Sequence, residues 1–408
     1  MEFHHRNKDG VVLSSCEKPE FKTSDILEAS EFYYSEKQML LAKFISSYYI
    51  CSLGDAFSLM TPYSGAETSL LHETKFSATH SALELSLKQE KALNFLKQHK
   101  VSLLFGDTGS GKTEIYMKYF EQMISNSKRS IFLMPEISLT PQMGLRLEKH
   151  FGDGAVMWHS KLTPKQKKIA QEKIYTGEAK IIAGPRSALF LPIRDLGLIV
   201  VDEEHDDSYK SSSRPRYNAR DLAIYMGKLH DVPVVLGSAT PSLTSYSKFP
   251  HVRLKGGFFN SNKEFIYEKS AEQLTPLVYD HLKNVLNKKE QAIVFLPTRA
   301  NFKYLICGDC GHTYECAFCS IGMSVHQKSH ALKCHYCNST QAIPQVCGEC
   351  KSPNLTSARL GTAQAAQEIN ELLKDANVEQ FDRDVITTSA KLKKALKRFN
   401  DKETDILV

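Results

Sequence analysis

The run Gly106-Asp107-Thr108-Gly109-Ser110-Gly111-Lys112-Thr113 fits G-x-x-x-x-G-K-T and stands between an apolar stretch, Val101–Phe105, and an amphipathic one, Glu114–Ser125. A strand that breaks into a glycine turn and re-forms as a helix admits few architectures. Glycines let backbone N–H groups wrap an anion, and the following helix presents its positive end to it. Lys112 can reach β- and γ-phosphates, and the Thr113 hydroxyl can ligand Mg²⁺. Gly106 to Thr113 are therefore expected to hold the phosphates of ATP.

The pattern around this loop alternates strand and helix, as a parallel α/β lobe does. Ser130–Met134, Lys180–Ala183, Leu196–Val201 and Val232–Leu236 read as strands, with helix-like stretches such as Pro141–His150 between them. Asp202-Glu203-Glu204-His205 follows one of these runs, placing Asp202 at the carboxyl end of a sheet, where ligands bind. Asp202 is expected to hold Mg²⁺ opposite Thr113, and Glu203 to orient and deprotonate a water. Lys112, Asp202 and Glu203 form the expected catalytic set. Gly237-Ser238-Ala239-Thr240-Pro241 follows the next strand, so His205, Ser238 and Thr240 are expected to relay nucleotide state. The order of these three motifs resembles superfamily 2 helicases, which implies two stacked RecA-like lobes with ATP in the cleft and nucleic acid across the top.

Eight of the ten cysteines form four C-x-x-C pairs, Cys307/Cys310, Cys316/Cys319, Cys334/Cys337 and Cys347/Cys350. Each pair supplies two thiolates at a tight knuckle, and two knuckles complete a tetrahedral zinc site with no open position. Two Zn²⁺ are expected, and sequence leaves three ways to pair the knuckles. Fourteen residues separate Cys319 from Cys334, a spacing close to that of zinc ribbons. It favours Cys316, Cys319, Cys334 and Cys337 on one ion and Cys307, Cys310, Cys347 and Cys350 on the other. His312, His326, His330 and His335 are not needed as ligands.

With 408 residues, two to three domains are expected. A hydrophobic content of 42% and a charged content of 24% are globular values, excluding disordered and collagen-like classes. The net charge of +6 favours a polyanionic partner weakly. No apolar run approaches the ~20 residues that span a bilayer. The charged opening, Met1 to Gly10, does not resemble a secretory leader. A cytoplasmic location is expected, where paired cysteines point to metal. The expected organisation is a shortened N-terminal DNA-binding domain, 1–62, a linker, 63–83, and a first RecA-like ATPase lobe, 84–245. A second lobe, 246–305 and 356–408, is interrupted by the zinc module, 306–355. The chain stops on an apolar run at Val408, and this lobe is expected to be incomplete.

A superfamily 2 motor with an eight-cysteine insert in its second lobe resembles the PriA family of primosomal replication-restart helicases. Met134 to Gln142 resembles that family's second motif, and Gly184 to Phe190 its DNA-tracking segment. Asp206 to Lys210 and Pro215 to Asp221 resemble its aromatic-rich loop, and Tyr48-Tyr49 with Gly54-Asp55 the end of its 3′-end-binding domain. The likeness runs from about residue 43 to 408. It implies a DNA-dependent ATPase that recognises stalled forks, unwinds from 3′ to 5′ and helps reload the replicative helicase. The implied partners are forked or single-stranded DNA, primosome proteins and single-stranded DNA-binding protein. Arg186, Arg216 and Arg220 are then expected to hold DNA phosphates, and Tyr209 and Tyr217 to offer faces for base stacking. Gln89, before the phosphate loop, is a candidate reader of the adenine edge. The family's later motifs, one carrying an arginine that reaches the γ-phosphate, have no counterpart before Val408. Two other readings are a motor-inactive DNA- and partner-binding fragment and a general superfamily 2 translocase with a zinc insert.

Overall fold

The computed structural model describes residues 2–3, 6–7, 10–15, 17, 20, 26–65, 84–135, 141–257, 263–268, 274–296, 303–319, 321–326, 331–334, 336–357, 361–382 and 385–408. It divides into two compact units, Met1–Lys263 and Glu264–Val408. No helix among the described residues is long and apolar enough to cross a membrane.

The first unit opens with a short antiparallel pair, β1 (Glu2–Phe3) and β2 (Arg6–Asn7). A second pair, β3 (Phe32–Tyr33) and β4 (Tyr63–Ser64), brackets α1 (Glu36–Tyr48) and α2 (Leu53–Phe57). Ser35 and Ser52 close capping boxes with Gln38 and Asp55, which explains where both helices begin. Tyr63 was expected in a linker. It is buried and donates to the Ile193 carbonyl; the rest of the expected linker, 66–83, lies outside the described residues. These N-terminal helices share a hydrophobic core with the lobe that follows.

That lobe alternates β5 (Val101–Gly106), α4 (Lys112–Ser125), β6 (Arg129–Leu133), α5 (Pro141–Phe151), β7 (Ala155–Met157), α6 (Pro164–Thr176), β8 (Ile181–Gly184), β9 (Leu196–Asp202), α7 (Ala219–His230), β10 (Val234–Ser238), α8 (Leu243–Lys248) and β11 (His251–Leu254), preceded by α3 (Leu87–Lys97). The seven strands form one parallel sheet in the order β11-β5-β10-β9-β6-β8-β7. β6, β8 and β10 are buried along their whole length, as strands covered by helices on both faces must be. The sheet runs past the expected end near residue 245, because β11 supplies its edge beside β5.

The second unit holds a small parallel sheet, β12 (Ala292–Ile293), β19 (Ile406–Leu407) and β18 (Val378–Glu379), in that order. Around it lie α9 (Pro276–Asn287), α10 (Thr362–Leu372) and α11 (Ser389–Asn400), and Leu282, Ala365, Ile369 and Ile406 meet in its core. Between β12 and α10 the cysteine region forms a five-stranded antiparallel sheet. Its strands are β13 (Lys303–Cys307), β14 (Ser324–His326), β15 (Ala331–Lys333), β16 (Thr340–Ala342) and β17 (Leu355–Ser357), and it has its own small core around Leu305, Met323 and Leu332.

Helix α7 packs on the sheet through Gly227. A Cβ there would lie 2.2 Å from Val234 Cγ2 and 3.1 Å from the Val232 carbonyl. Gly227→Ala is expected to destabilise the first unit by about 1–3 kcal/mol through overpacking, read as a lower urea midpoint with an unchanged slope.

Candidate functional site: the phosphate-loop edge of the sheet and the cysteine clusters

The phosphate-loop glycines adopt the backbone the motif requires: Gly109 has φ +75° and Gly111 φ +84°. Gly111 is the N-cap of α4 and offers its first-turn N–H groups no side-chain acceptor. The other helices that open on Ser or Thr satisfy those groups themselves, as Ser86 and Gln89 do for α3. The end of α4 is thus left open to an anion. Ser110 Oγ is buried without a hydrogen-bond partner among the described residues, an acceptor–donor site that a phosphate oxygen can satisfy. Lys112 is buried, with Nζ donating to the Gly106 carbonyl at 2.9 Å. These features fit ATP.

β10 lies between β5 and β9, so the phosphate loop and Asp202 sit two strands apart at one carboxyl edge. Gly237 pairs with Asp202 in register, and a Cβ on it would stand 1.7 Å from the Tyr116 hydroxyl. The missing side chain lets Tyr116 cross β10 and donate to Asp202 Oδ1 at 3.1 Å. Burial first, then repulsion from Glu203, pushes the Asp202 carboxyl up to about 6, while Lys112 and Tyr116 pull the other way. A carboxylate so desolvated fits a divalent cation, and Mg²⁺ would be held by Asp202 and Thr113. Glu203 is held in the left-handed region, φ +47°, a strained geometry found at functional turns.

His205 joins two motifs. Its Nδ1 lies 2.8 Å from Ser238 Oγ, and its Nε2 lies 3.3 Å from Thr240 Oγ1. The Thr240 N–H donates to the same Ser238 Oγ.

Two residues here escaped the sequence reading. Tyr116 is three positions after Thr113, but nothing local signals that Gly237 opens a path across β10. Glu204 is the third carboxylate of the acidic motif, and it is buried. Its Oε1 accepts from the Ser242 N–H at 2.7 Å. Its Oε2 accepts from Ser242 Oγ, Ser245 Oγ and Arg220 Nη1 at 3.0, 2.8 and 3.1 Å.

Several expected DNA contacts are corrected by this geometry. Tyr209 is 1% exposed and donates to the Asp202 carbonyl at 2.6 Å. Tyr217 is 4% exposed and meets Phe190 edge-on. Neither ring offers a face to a base. Arg220 is engaged by Glu204 and Asp221. Arg186 donates to the Ser208 and Lys210 carbonyls and pins the loop between them. Arg216 is exposed. Gln89 is spent between the Ser86 cap and the Gly111 carbonyl. The second-motif stretch 136–140 lies outside the described residues.

In the second unit the sulfurs of Cys307, Cys310, Cys347 and Cys350 gather in one cluster, and those of Cys316, Cys319, Cys334 and Cys337 in another, each within 4.8 Å. Neighbouring sulfurs stand 3.5–3.6 Å apart. A disulfide needs about 2 Å, whereas four thiolates at ~2.3 Å from a tetrahedral zinc lie about 3.8 Å from one another. The knuckle N–H groups of Cys310 and Cys337 draw the Cys307 and Cys334 thiols down to about 7. The Cys337 sulfur beside it leads in pushing Cys319 up to about 12. Four crowded sulfurs ionise together only around a cation, so the donor set fits two structural Zn²⁺. His326, His330 and His335 have no described side chains, and His312 packs edge-on against Tyr314.

Arg220→Ala strands the buried Glu204 carboxylate and is expected to cost about 3–5 kcal/mol of stability in chemical denaturation. Metal analysis of the purified chain is expected to give two zinc ions. Cys310→Ser/Cys350→Ser should remove one, and Cys310→Ser/Cys319→Ser both, which separates this pairing from the alternatives.

Residues 86–249 match the family model described as DEAD/DEAH box helicase. Residues 316–341 match the PriA DNA helicase Cys-rich region (CRR) domain, and residues 1–62 the 3′ DNA-binding domain (3′BD). Replication restart protein PriA of Helicobacter pylori (strain J99) is 46% identical over 408 residues, covering 99% of this chain and 65% of that protein. The PriA of Rickettsia prowazekii is 34% identical over 426 residues, with 99% and 66% covered. That of Bacillus subtilis is 36% identical over 330 residues, with 76% and 40% covered. Among solved structures, DUF1998 helicase MrfA bound to DNA aligns with a TM-score of 0.47 at 14% identity, covering 85% of this chain and 44% of that one. RecG bound to a three-way DNA junction aligns at 0.44 and 14%, covering 91% and 42%. This chain spans about 65% of the Helicobacter pylori relative's length. The sequence likeness, traced from residue 43 onward, reaches the N-terminus through the match over 1–62. With the cysteine region and the N-terminal domain both matching, the chain belongs to the PriA family of replication restart proteins.

Proposed function

We propose that this chain is the motor portion of an ATP-driven replication-restart helicase. The observation that carries the reading is the arrangement at one sheet edge. An open phosphate loop with its buried Lys112, a desolvated Asp202 two strands away and a His205 bridge to Ser238 and Thr240 form one connected set. In this reading Gly106 to Thr113 cradle the phosphates, Thr113 and Asp202 hold Mg²⁺, and Lys112 stabilises charge on the transferred phosphoryl group. Glu203 orients the attacking water. His205 carries the change at the γ-phosphate into the Ser238-Ala239-Thr240 segment.

The substrate proposed is forked DNA with a single-stranded arm, unwound from 3′ to 5′ in the cytoplasm, with Arg216 among the phosphate contacts. The 3′BD match over residues 1–62 supports DNA as the partner. Docking of primosome proteins and single-stranded DNA-binding protein, and reloading of the replicative helicase, follow from family membership. The two zinc-fitting clusters would serve as a rigid platform, with no position for substrate at the metals.

The test is ATP hydrolysis by the 408-residue chain with and without forked DNA, beside Lys112→Ala. Fork-stimulated turnover is expected, falling about a hundredfold or more in the variant. Strand release from 3′-tailed over 5′-tailed duplexes checks direction. Fork binding without turnover would overturn the motor reading in favour of a DNA-binding fragment. Equal stimulation by RNA would favour a general translocase.

A further inference from the structure

The phosphate loop of this chain contains an acid. Asp107 follows Gly106 directly, where a second negative charge opposes a triphosphate. Its surroundings divert it entirely. Its N–H donates to the Leu254 carbonyl at 3.1 Å, so it offers no backbone donor to an anion. Its carbonyl accepts from the Ser110 N–H and shapes the turn. Its Oδ2 accepts from the Gly256 N–H at 2.9 Å, and its Oδ1 pairs with Arg253 Nη2 at 2.5 Å. The Arg253 guanidinium is itself fixed, stacked 3.5 Å above the Phe105 ring centroid. The Gly256 N–H leads in lowering the Asp107 pKa, with Arg253 and Lys112 adding to it, so the acid is fully charged near neutrality.

We propose that Arg253 is a positioning residue for nucleotide binding: it turns the Asp107 carboxylate away from the phosphates and cancels its charge, making an acidic phosphate loop compatible with a polyanion. The inference rests on the nucleotide reading of this loop. Without Arg253, the Gly256 N–H alone holds the carboxylate, which can then turn toward the phosphates or capture Lys112. Stacking on Phe105 pre-orients the guanidinium, which lowers the entropy lost in forming the pair. β11 lies beside β5 in parallel register, with Arg253 opposite Phe105 and Leu254 opposite Gly106. The last strand of the sheet thereby becomes a wall of the nucleotide site.

The experiment measures binding of ADP carrying a fluorescent ribose label, with Mg²⁺, to the full 408-residue chain. Arg253→Ala is expected to weaken binding about tenfold, the order of one uncompensated charge several ångströms away at protein-surface dielectric. The loss should shrink as salt rises. Asp107→Ala is expected to tighten binding, and Asp107→Ala/Arg253→Ala to recover most of what Arg253→Ala loses. Arg253→Lys should recover about half of the loss. Unchanged affinity in Arg253→Ala, or a double variant as weak as it, would overturn the inference. The single Asp107→Ala variant decides the matter if Arg253→Ala does not fold: weaker binding there sinks the proposal. A wild-type chain that binds no nucleotide would instead overturn the nucleotide reading beneath it.

Discussion

Glu204 has a side chain with no exposure, and four donors from Ser242, Ser245 and Arg220 converge on its two oxygens. A desolvated carboxylate is tolerated only when its lone pairs are met, so the surrounding chain is constrained to meet them. The Ser242 N–H belongs to the start of α8, and Arg220 to the first turn of α7. Their meeting point sits between Glu203 and His205. The acidic turn after β9 is therefore locked to two helices at once. Asp202, the strained Glu203 and the imidazole of His205 take their places from that lock.

The same edge shows how charges of one sign are kept apart. Asp202 is crowded by burial and by Glu203, and Tyr116 crosses a side-chain-free Gly237 to give it a hydrogen bond. Asp107 is drawn to the other side by Arg253 and the Gly256 amide. Between them the loop keeps its helix end open and its Lys112 buried. Each acid of this edge thus has its own donors, Tyr116 for Asp202 and Arg253 with the Gly256 amide for Asp107, while the helix end and Lys112 stay between them.

Legibility followed locality. The glycine loop, the acidic motif and the four knuckles are written in residues a few positions apart, and their local geometry and the grouping of the cysteines could be anticipated from them. So could the alternating strands, with ends displaced by one or two residues. Partners remote in sequence could not. Burial of Tyr209 depends on the Asp202 carbonyl, and that of Tyr217 on Phe190; an aromatic-rich run looks the same whether its rings face solvent or core. Asp107 reads as a phosphate-loop residue until Arg253, 146 positions later, is placed beside it. Gln89 was visible as a candidate, but its use as a cap and brace emerged only with Ser86 and Gly111 in position.

Strand order carries a consequence for the order of synthesis. β5, which bears the phosphate loop, has β10 and β11 as its neighbours among the described residues, pairing Val101 with Val234 and Leu103 with His251. Both arrive more than a hundred residues after it. Translation at roughly 5–20 residues per second therefore leaves β5 without a hydrogen-bonded partner for several seconds. During that interval its apolar edge is open, and Asp107 has neither the Leu254 carbonyl nor Arg253 to engage. The phosphate-loop edge of the sheet is therefore complete only once its last strand, β11, has emerged, which ties the finished loop to completion of the lobe.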